Sequence, residues 1–432
     1  MKRNAAISLL LALSLLSGCT AGATEPSGIP HETLDPLRIE EEKFPAPGPA
    51  GPTESHTPQG AEEAGETSGN ALAMALLRVE CARKDGNVIL SPLSIQTALA
   101  MASEGATGEA KEALEALGLS GGQGASLSQT AGDSVLAIAN SMWFNEKLSG
   151  KVNQGFKNVL SSEYGAKEGY FTPKSLDSVR EINGWVKEKT QEKIDTIITE
   201  DALSEDALAV LVNAIYFGGK WVEPFEDFQV REGKFHAGSG QETREQDAEL
   251  MFSQEKTYFE NELATGFSKR YESGYEFIGL LPKTAGSEGL EEVLNGLDLD
   301  EFLNSRTWEY DVGIAIPKFE LEYANSLRQT LIKMGLGSLF EEHSLDAMLT
   351  DEALTLGDTA WVGDVLHKTY MKMYETGTEA AASTAIVVKY GTTSIAQPRE
   401  YREVILDRPF AFLIRDMESE RIVFCGAVNS VE

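Results

Sequence analysis

From residue 70 onward the apolar positions fall into periodic or continuous runs that predict a mixture of helices and strands. Within 70–83, residues 72, 74, 76, 77 and 79 are apolar, the spacing of an amphipathic helix. Asn87-Val-Ile-Leu90 predicts a short strand. Ser91-Pro92 then sets a capping hydroxyl and a first-turn proline ahead of an apolar helix at 93–103. Further helices are predicted at 107–117, ended by Gly118, and at 174–191, with an apolar strand at 134–144 between them. Residues 207–217 form an unbroken apolar run, as expected of a strand buried on both faces. Strands follow at 277–281, 310–316 and 361–374, with a helix at 324–334. Residues 410–415 and 421–428 predict a closing hairpin that turns near Glu418-Ser-Glu420. Helices dominate early and strands late, which predicts an α+β fold and not regular βαβ alternation.

The pattern before residue 68 is different. Met1-Lys-Arg-Asn4 is basic, residues 7–16 are apolar, and Leu16-Ser-Gly-Cys19 follows. An apolar run of about ten residues is too short to cross a ~30 Å hydrocarbon core as a helix. The segment resembles the leader of bacterial lipoproteins. That resemblance implies a signal peptide at 1–18, removed on export, and lipid on Cys19. It also implies a domain anchored to the bacterial cell envelope, facing outward or periplasmic. An ordinary secretory signal is the alternative. Residues 19–67 carry eight of the 15 prolines (26, 30, 36, 45, 47, 49, 52 and 58) and one aromatic, Phe44. Such a segment cannot bury enough apolar surface to offset its ordering entropy, so it is expected to be a disordered Pro/Glu/Gly-rich tether. Residues 68–432 are expected to form one domain.

The formal net charge is −31. An acidic surface of this size repels nucleic acid and anionic membranes, so any membrane contact is expected through the lipid anchor alone. Cys81 and Cys425 are the remaining cysteines; one disulfide is open to them, and two separate thiols are favoured. No Gly-x-Ser-x-Gly elbow, phosphate-binding glycine loop or His-Glu-x-x-His occurs, and the five histidines (31, 56, 236, 343 and 367) lack metal-ligand spacing. The chain is therefore not expected to be an enzyme, nor to hold a metal or cofactor.

One stretch fits neither periodicity. Glu375-Thr-Gly-Thr-Glu-Ala-Ala-Ala-Ser-Thr384 is rich in alanine, yet it has no apolar stripe and runs into the β-formers Ile386, Val387 and Val388. Its side chains are small enough to slide between two strands. It resembles the reactive-loop hinge of serpins, the serine protease inhibitor family. Other blocks are similar to that family in the same order. They are Asn87-Val-Ile-Leu-Ser-Pro-Leu-Ser-Ile95, Glu104-Gly-Ala-Thr-Gly108, and Leu211-Val-Asn-Ala-Ile-Tyr-Phe-Gly-Gly-Lys-Trp221 with Pro224-Phe225. Ile316-Pro-Lys-Phe319, His367-Lys368, Asp407-Arg-Pro-Phe410 and Phe424-Cys-Gly426 follow. The resemblance covers residues 68–432.

The resemblance implies three β-sheets, about nine helices and an exposed reactive-centre loop. It also implies irreversible, suicide-substrate inhibition of serine, and by extension cysteine, endopeptidases. A monomer would trap its target protease as a covalent complex while the cut loop inserts into the main sheet. The hinge residues are then Glu375, Gly377, Thr378, Glu379, Ala380, Ala381, Ala382, Ser383 and Thr384. Thr378, Ala380, Ala382 and Thr384 would face inward, and Gly377 would supply the pivot. Ser91, Ser94, Asn213 and His367 fall where the family has its buried sheet-opening switch; Trp221, grouped with them, is more simply a core aromatic, and in the family it sits where the loop first enters. The family register sets the scissile bond at Gly391–Thr392, for an elastase- or subtilisin-like target. Shifts of one or two residues set it after Tyr390, for a chymotrypsin-like enzyme, or after Lys389, for a trypsin-like one. A non-inhibitory serpin acting as a binding or chaperone module is the alternative. Such members tend to carry charged, bulky or proline residues at inward hinge positions, and this chain has none there.

Overall fold

Three β-sheets organise the computed structural model, which describes residues 69–83, 86–119, 129–131, 134–238, 243–378 and 399–431. The expected leader, Cys19 and the tether lie outside the described residues, and so do Glu379 through Thr384 and the candidate bonds from Lys389 to Thr392. The largest sheet runs, in order, Phe319–Ser326, Val362–Tyr374, Gly377–Thr378, Ala209–Lys220, Ser134–Asn145 and Gln129–Ala131. Lys167–Phe171 pairs along Ser134–Asn145. A six-stranded sheet runs Val88–Leu90, Ile422–Val428, Phe410–Asp416, Tyr275–Pro282, Ala264–Arg270 and Tyr258–Glu260. A four-stranded sheet runs Glu400–Ile405, Tyr310–Pro317, Arg244–Glu255 and Val230–Ala237. Nine α-helices accompany them among the described residues.

Most elements follow the apolar pattern. The helix Pro92–Ser103 starts on Ser91, whose Oγ accepts from the Ser94 amide at 3.2 Å, and Pro92 sits in its first turn. The strand Ala209–Lys220 is buried on both faces along almost its whole length. Its inward residues Leu211, Ile215 and Phe217 join the main core. Its outward residues Val210, Val212 and Ala214 pack with Leu366 beneath Ile182 and Val186 of the helix Leu176–Lys189, and beneath Ile194, Ile198 and Leu203 of the chain that follows it. Lys368 fastens this cover: its Nζ donates to the Thr196 carbonyl at 2.6 Å and pairs with Glu322. Cys81 and Cys425 are both free thiols.

The helix expected at 324–334 needs correction. Residues 324–326 end the strand Phe319–Ser326, and the helix is only Arg328–Lys333. Phe319, Leu321 and Tyr323 are buried in strict alternation with exposed Glu320, Glu322 and Ala324. That two-residue period pairs the segment to Val362–Tyr374 as a sheet strand and overrides the local helical spacing.

The strands Val362–Tyr374 and Ala209–Lys220 meet in parallel, in register from Val362/Ala209 to Tyr370/Tyr216. Beyond that point the chain reverses at Glu375-Thr376, and Gly377–Thr378 enters between them. It runs antiparallel to both: Thr378 pairs with Met373 on one side and Gly219 on the other.

Candidate functional site

Two clusters lie along this seam. The first sits midway and holds four of the five expected switch residues. His367 and Asn213 are register partners across the seam, and Asn213 is the register partner of Asn140 on the next strand. Side chains paired in this way share a face, so the three form one inward row. The Ser91 amide donates to His367 Nε2 at 3.1 Å, which leaves the ring proton on Nδ1, and Nδ1 donates to Asn213 Oδ1 at 2.5 Å. With its oxygen so engaged, Asn213 turns Nδ2 toward the Ser94 carbonyl at 3.0 Å, the Ser94 hydroxyl and Asn140 Oδ1 at 2.5 Å. Ser91, Ser94, Asn213 and His367 are all fully buried. Burial pushes the His367 pKa down to about 3, so the ring is neutral. A second ring proton would also point at the Ser91 N–H, setting donor against donor.

The second cluster surrounds residues 375–378, the described part of the expected hinge. Trp221 belongs here and makes no hydrogen bond to the histidine network. It stacks on Tyr271 with ring centroids 4.2 Å apart, and both rings are buried. The Tyr271 hydroxyl and Thr378 Oγ1 share a hydrogen bond of 2.7 Å. Burial pushes the Tyr271 phenol far above its usual range, so it acts as a neutral hydroxyl. The Trp221 amide donates to the Thr376 carbonyl at 3.0 Å, its indole N–H to the Tyr374 carbonyl at 3.2 Å, and the Phe225 amide to the Glu375 carbonyl at 2.9 Å. Gly377 has φ +148°, and a Cβ there would lie 1.9 Å from the Gly219 carbonyl oxygen, so only glycine fits this pivot.

Glu375 is held from the side by Lys318, Nζ to Oε1 2.5 Å; Lys318 also reaches Glu249 at 3.2 Å. Burial works to raise the Glu375 carboxyl, but the Lys318 hydrogen bond and charge outweigh it and keep the group below the usual carboxylate range.

Sequence reasoning missed Asn140 and Tyr271, and gave no site role to Phe225 and Lys318, although both lie in blocks that resemble the family. Strand register brings Asn140 to the seam, whereas Tyr271, Phe225 and Lys318 follow strand ends and reach it only through tertiary packing. Of the expected hinge residues the structure describes Glu375, Gly377 and Thr378. Thr378 is fully buried.

The serpin (serine protease inhibitor) family model matches residues 67–431. An uncharacterized serpin-like protein of Thermococcus kodakarensis is 32% identical over 80% of this chain and 81% of its own length. Iripin-2 of Ixodes ricinus is 31% identical over 84% of this chain and 92% of its own. Among solved structures, the native state of tengpin, a thermophilic serpin, superposes with a TM-score of 0.72 at 27% identity, covering 84% of this chain and 93% of that one. The fold, the matched span and these relatives agree: the chain belongs to the serpin family.

Proposed function

We propose that this serpin is an irreversible suicide-substrate inhibitor of serine endopeptidases. The observation that carries the reading is the register of Gly377–Thr378. Gly377–Thr378 stands between two strands, antiparallel to both, and a continuation at the same register would run down the seam.

Continued at that register, Ala380 would come between Met371 and Phe217, and Ala382 between Thr369 and Ile215. Thr384 would come between His367 and Asn213, and Ile386 between Val365 and Leu211. Every inward position up to the histidine row is small, and the residue arriving at that row is a hydroxyl. The 14 residues from Thr378 to Gly391 would make a strand of about 46 Å at ~3.3 Å per residue. Insertion would exchange one parallel ladder for two antiparallel ones, the stronger pairing. The uncut chain would thus be kinetically held above a more stable state.

The chemistry belongs to the protease. Its serine Oγ attacks the carbonyl carbon of Gly391, or of Tyr390 or Lys389 in the shifted registers. Its general base passes the serine proton to the departing amine, that of Thr392 in the first register. The peptide bond is thereby exchanged for an ester. Insertion would then carry the ester-linked protease away from the site of cleavage and distort it before water completes deacylation. The small Gly391 and the threonines beyond it favour an elastase- or subtilisin-like target. Cys19 would carry the lipid that anchors the domain to the cell envelope; fatty-acid labelling lost in Cys19→Ser would support this, and labelling retained would oppose it.

The deciding experiment incubates the full chain with elastase, subtilisin, chymotrypsin, trypsin and papain. The expected result is an SDS-stable complex with at least one serine protease and a released C-terminal peptide whose mass identifies the bond. Cleavage by every enzyme without a complex would establish the non-inhibitory alternative.

A further inference from the structure

Lys269 is a lysine set among aromatic rings. It lies in the strand Ala264–Arg270 opposite Phe277, and it is 3% exposed. An ammonium taken out of water needs compensation. Here Nζ lies 2.8 Å from Glu255 Oε1, and 4.5 and 5.7 Å from the ring centroids of Phe225 and Trp221. Glu255 ends the strand Arg244–Glu255 of the four-stranded sheet, and its Oε1 also accepts from Ser253 Oγ at 2.9 Å. The charge is therefore fixed from one side by a carboxylate and faces two rings on the other.

Those two residues carry backbone amides that grip the loop root: Phe225 N–H on the Glu375 carbonyl and Trp221 N–H on the Thr376 carbonyl. An apolar side chain would fill the same space opposite Phe277 but would exert no pull on the rings. We propose that the Lys269–Glu255 pair positions Trp221 and Phe225, and through them sets how fast the loop enters the sheet. Lys269 touches no loop atom that the structure describes, so it is a positioning residue. The rate part rests on the insertion reading above.

The test compares Lys269→Met, Glu255→Gln and the double variant with the unaltered full chain. Amide hydrogen exchange at Trp221 and Phe225 reports the two root bonds without any protease. Both amides should exchange about tenfold faster in each single variant, with the His367 strand unchanged. If the pair acts as a unit, the double variant should look like Lys269→Met alone. With a protease that the unaltered chain traps, the number of inhibitor molecules consumed per complex should rise about threefold, because a misplaced root slows insertion against deacylation. Unchanged exchange at Trp221 and Phe225 would overturn the positioning role, and so would a uniform rise across the sheet, which marks general destabilisation. Faster local exchange with unchanged consumption would overturn the link to insertion. If the unaltered chain traps no protease, the inhibitory reading and the rate part fail together, and exchange still decides the positioning role. Glu255→Gln, the milder change at a residue with an 18% exposed side chain, keeps the test open should Lys269→Met fail to fold.

Discussion

His367 and Asn213 face each other directly across the seam, Nδ1 to Oδ1 2.5 Å, although 154 residues separate them in the chain. The bond joins the two strands that a new strand would have to part. It is also the point at which the register of Gly377–Thr378, carried six residues further under the proposed insertion, would place Thr384. The proposed insertion would thus break this hydrogen bond and bring a hydroxyl to the same place.

The neutral imidazole makes stability depend on pH. In the folded chain burial holds the His367 pKa near about 3, below the ordinary 6.5. Above pH 6.5 the ring is neutral in both states, and its contribution is fully present. As pH falls from 6.5 toward 3, the unfolded chain binds a proton that the folded chain refuses. Unfolding is then favoured by about 1.4 kcal/mol per pH unit, or about 2 kcal/mol by pH 5. His367→Gln should flatten that decline. Urea midpoints at pH 7 and pH 5 provide the check; an equal loss in both proteins would refute the assignment to His367.

Thr384→Val should act on the cut chain and spare the uncut one. After insertion, His367 and Asn213 would meet an apolar methyl where a hydroxyl should be, leaving buried polar atoms unpaired at a cost of about 1–3 kcal/mol. The expected outcome is a lower thermal midpoint for the loop-cleaved variant, with the intact midpoint unchanged. Equal midpoints for cleaved wild type and cleaved variant would show that Thr384 does not reach the histidine row.

Thr378→Arg should turn an inhibitor into a substrate. Thr378 is fully buried, bonded to Tyr271 and packed near Met373. A guanidinium there would be buried without a partner, at a cost of about 3–5 kcal/mol. The root would have to leave the sheet, and the loop would be cut without trapping. Gels would show cleaved chain and free protease; persistence of SDS-stable complexes would contradict the inward role of Thr378.

Much of the fold was legible because its signals are local. The unbroken run at 207–217 announced a strand covered on both faces, and Ser91-Pro92 marked a helix start that the structure matches. Residues 324–334 misled because Leu321 and Tyr323 alternate just ahead of a true helical stretch, and the choice between the two periods belonged to the neighbouring strand. Ser91, Ser94, Asn213 and His367 were placed by resemblance, since nothing in their spacing brings them together. Asn140 went unseen because an asparagine in an apolar strand is silent until its row is known. Trp221, read as a core aromatic and grouped with the switch, packs on Tyr271 beside Gly377–Thr378.

By itself, then, the sequence determined that the segment after Glu375 is small, glycine-pivoted and β-tailed, and so able to become a strand. Size and backbone freedom are properties of each residue alone. Only the tertiary structure decided where its first residues, Gly377–Thr378, stand: between Val362–Tyr374 and Ala209–Lys220, with Thr378 on Tyr271 and Lys269 behind the rings of Trp221 and Phe225. Register and burial are set jointly by strands far apart in the chain, and no single segment encodes them.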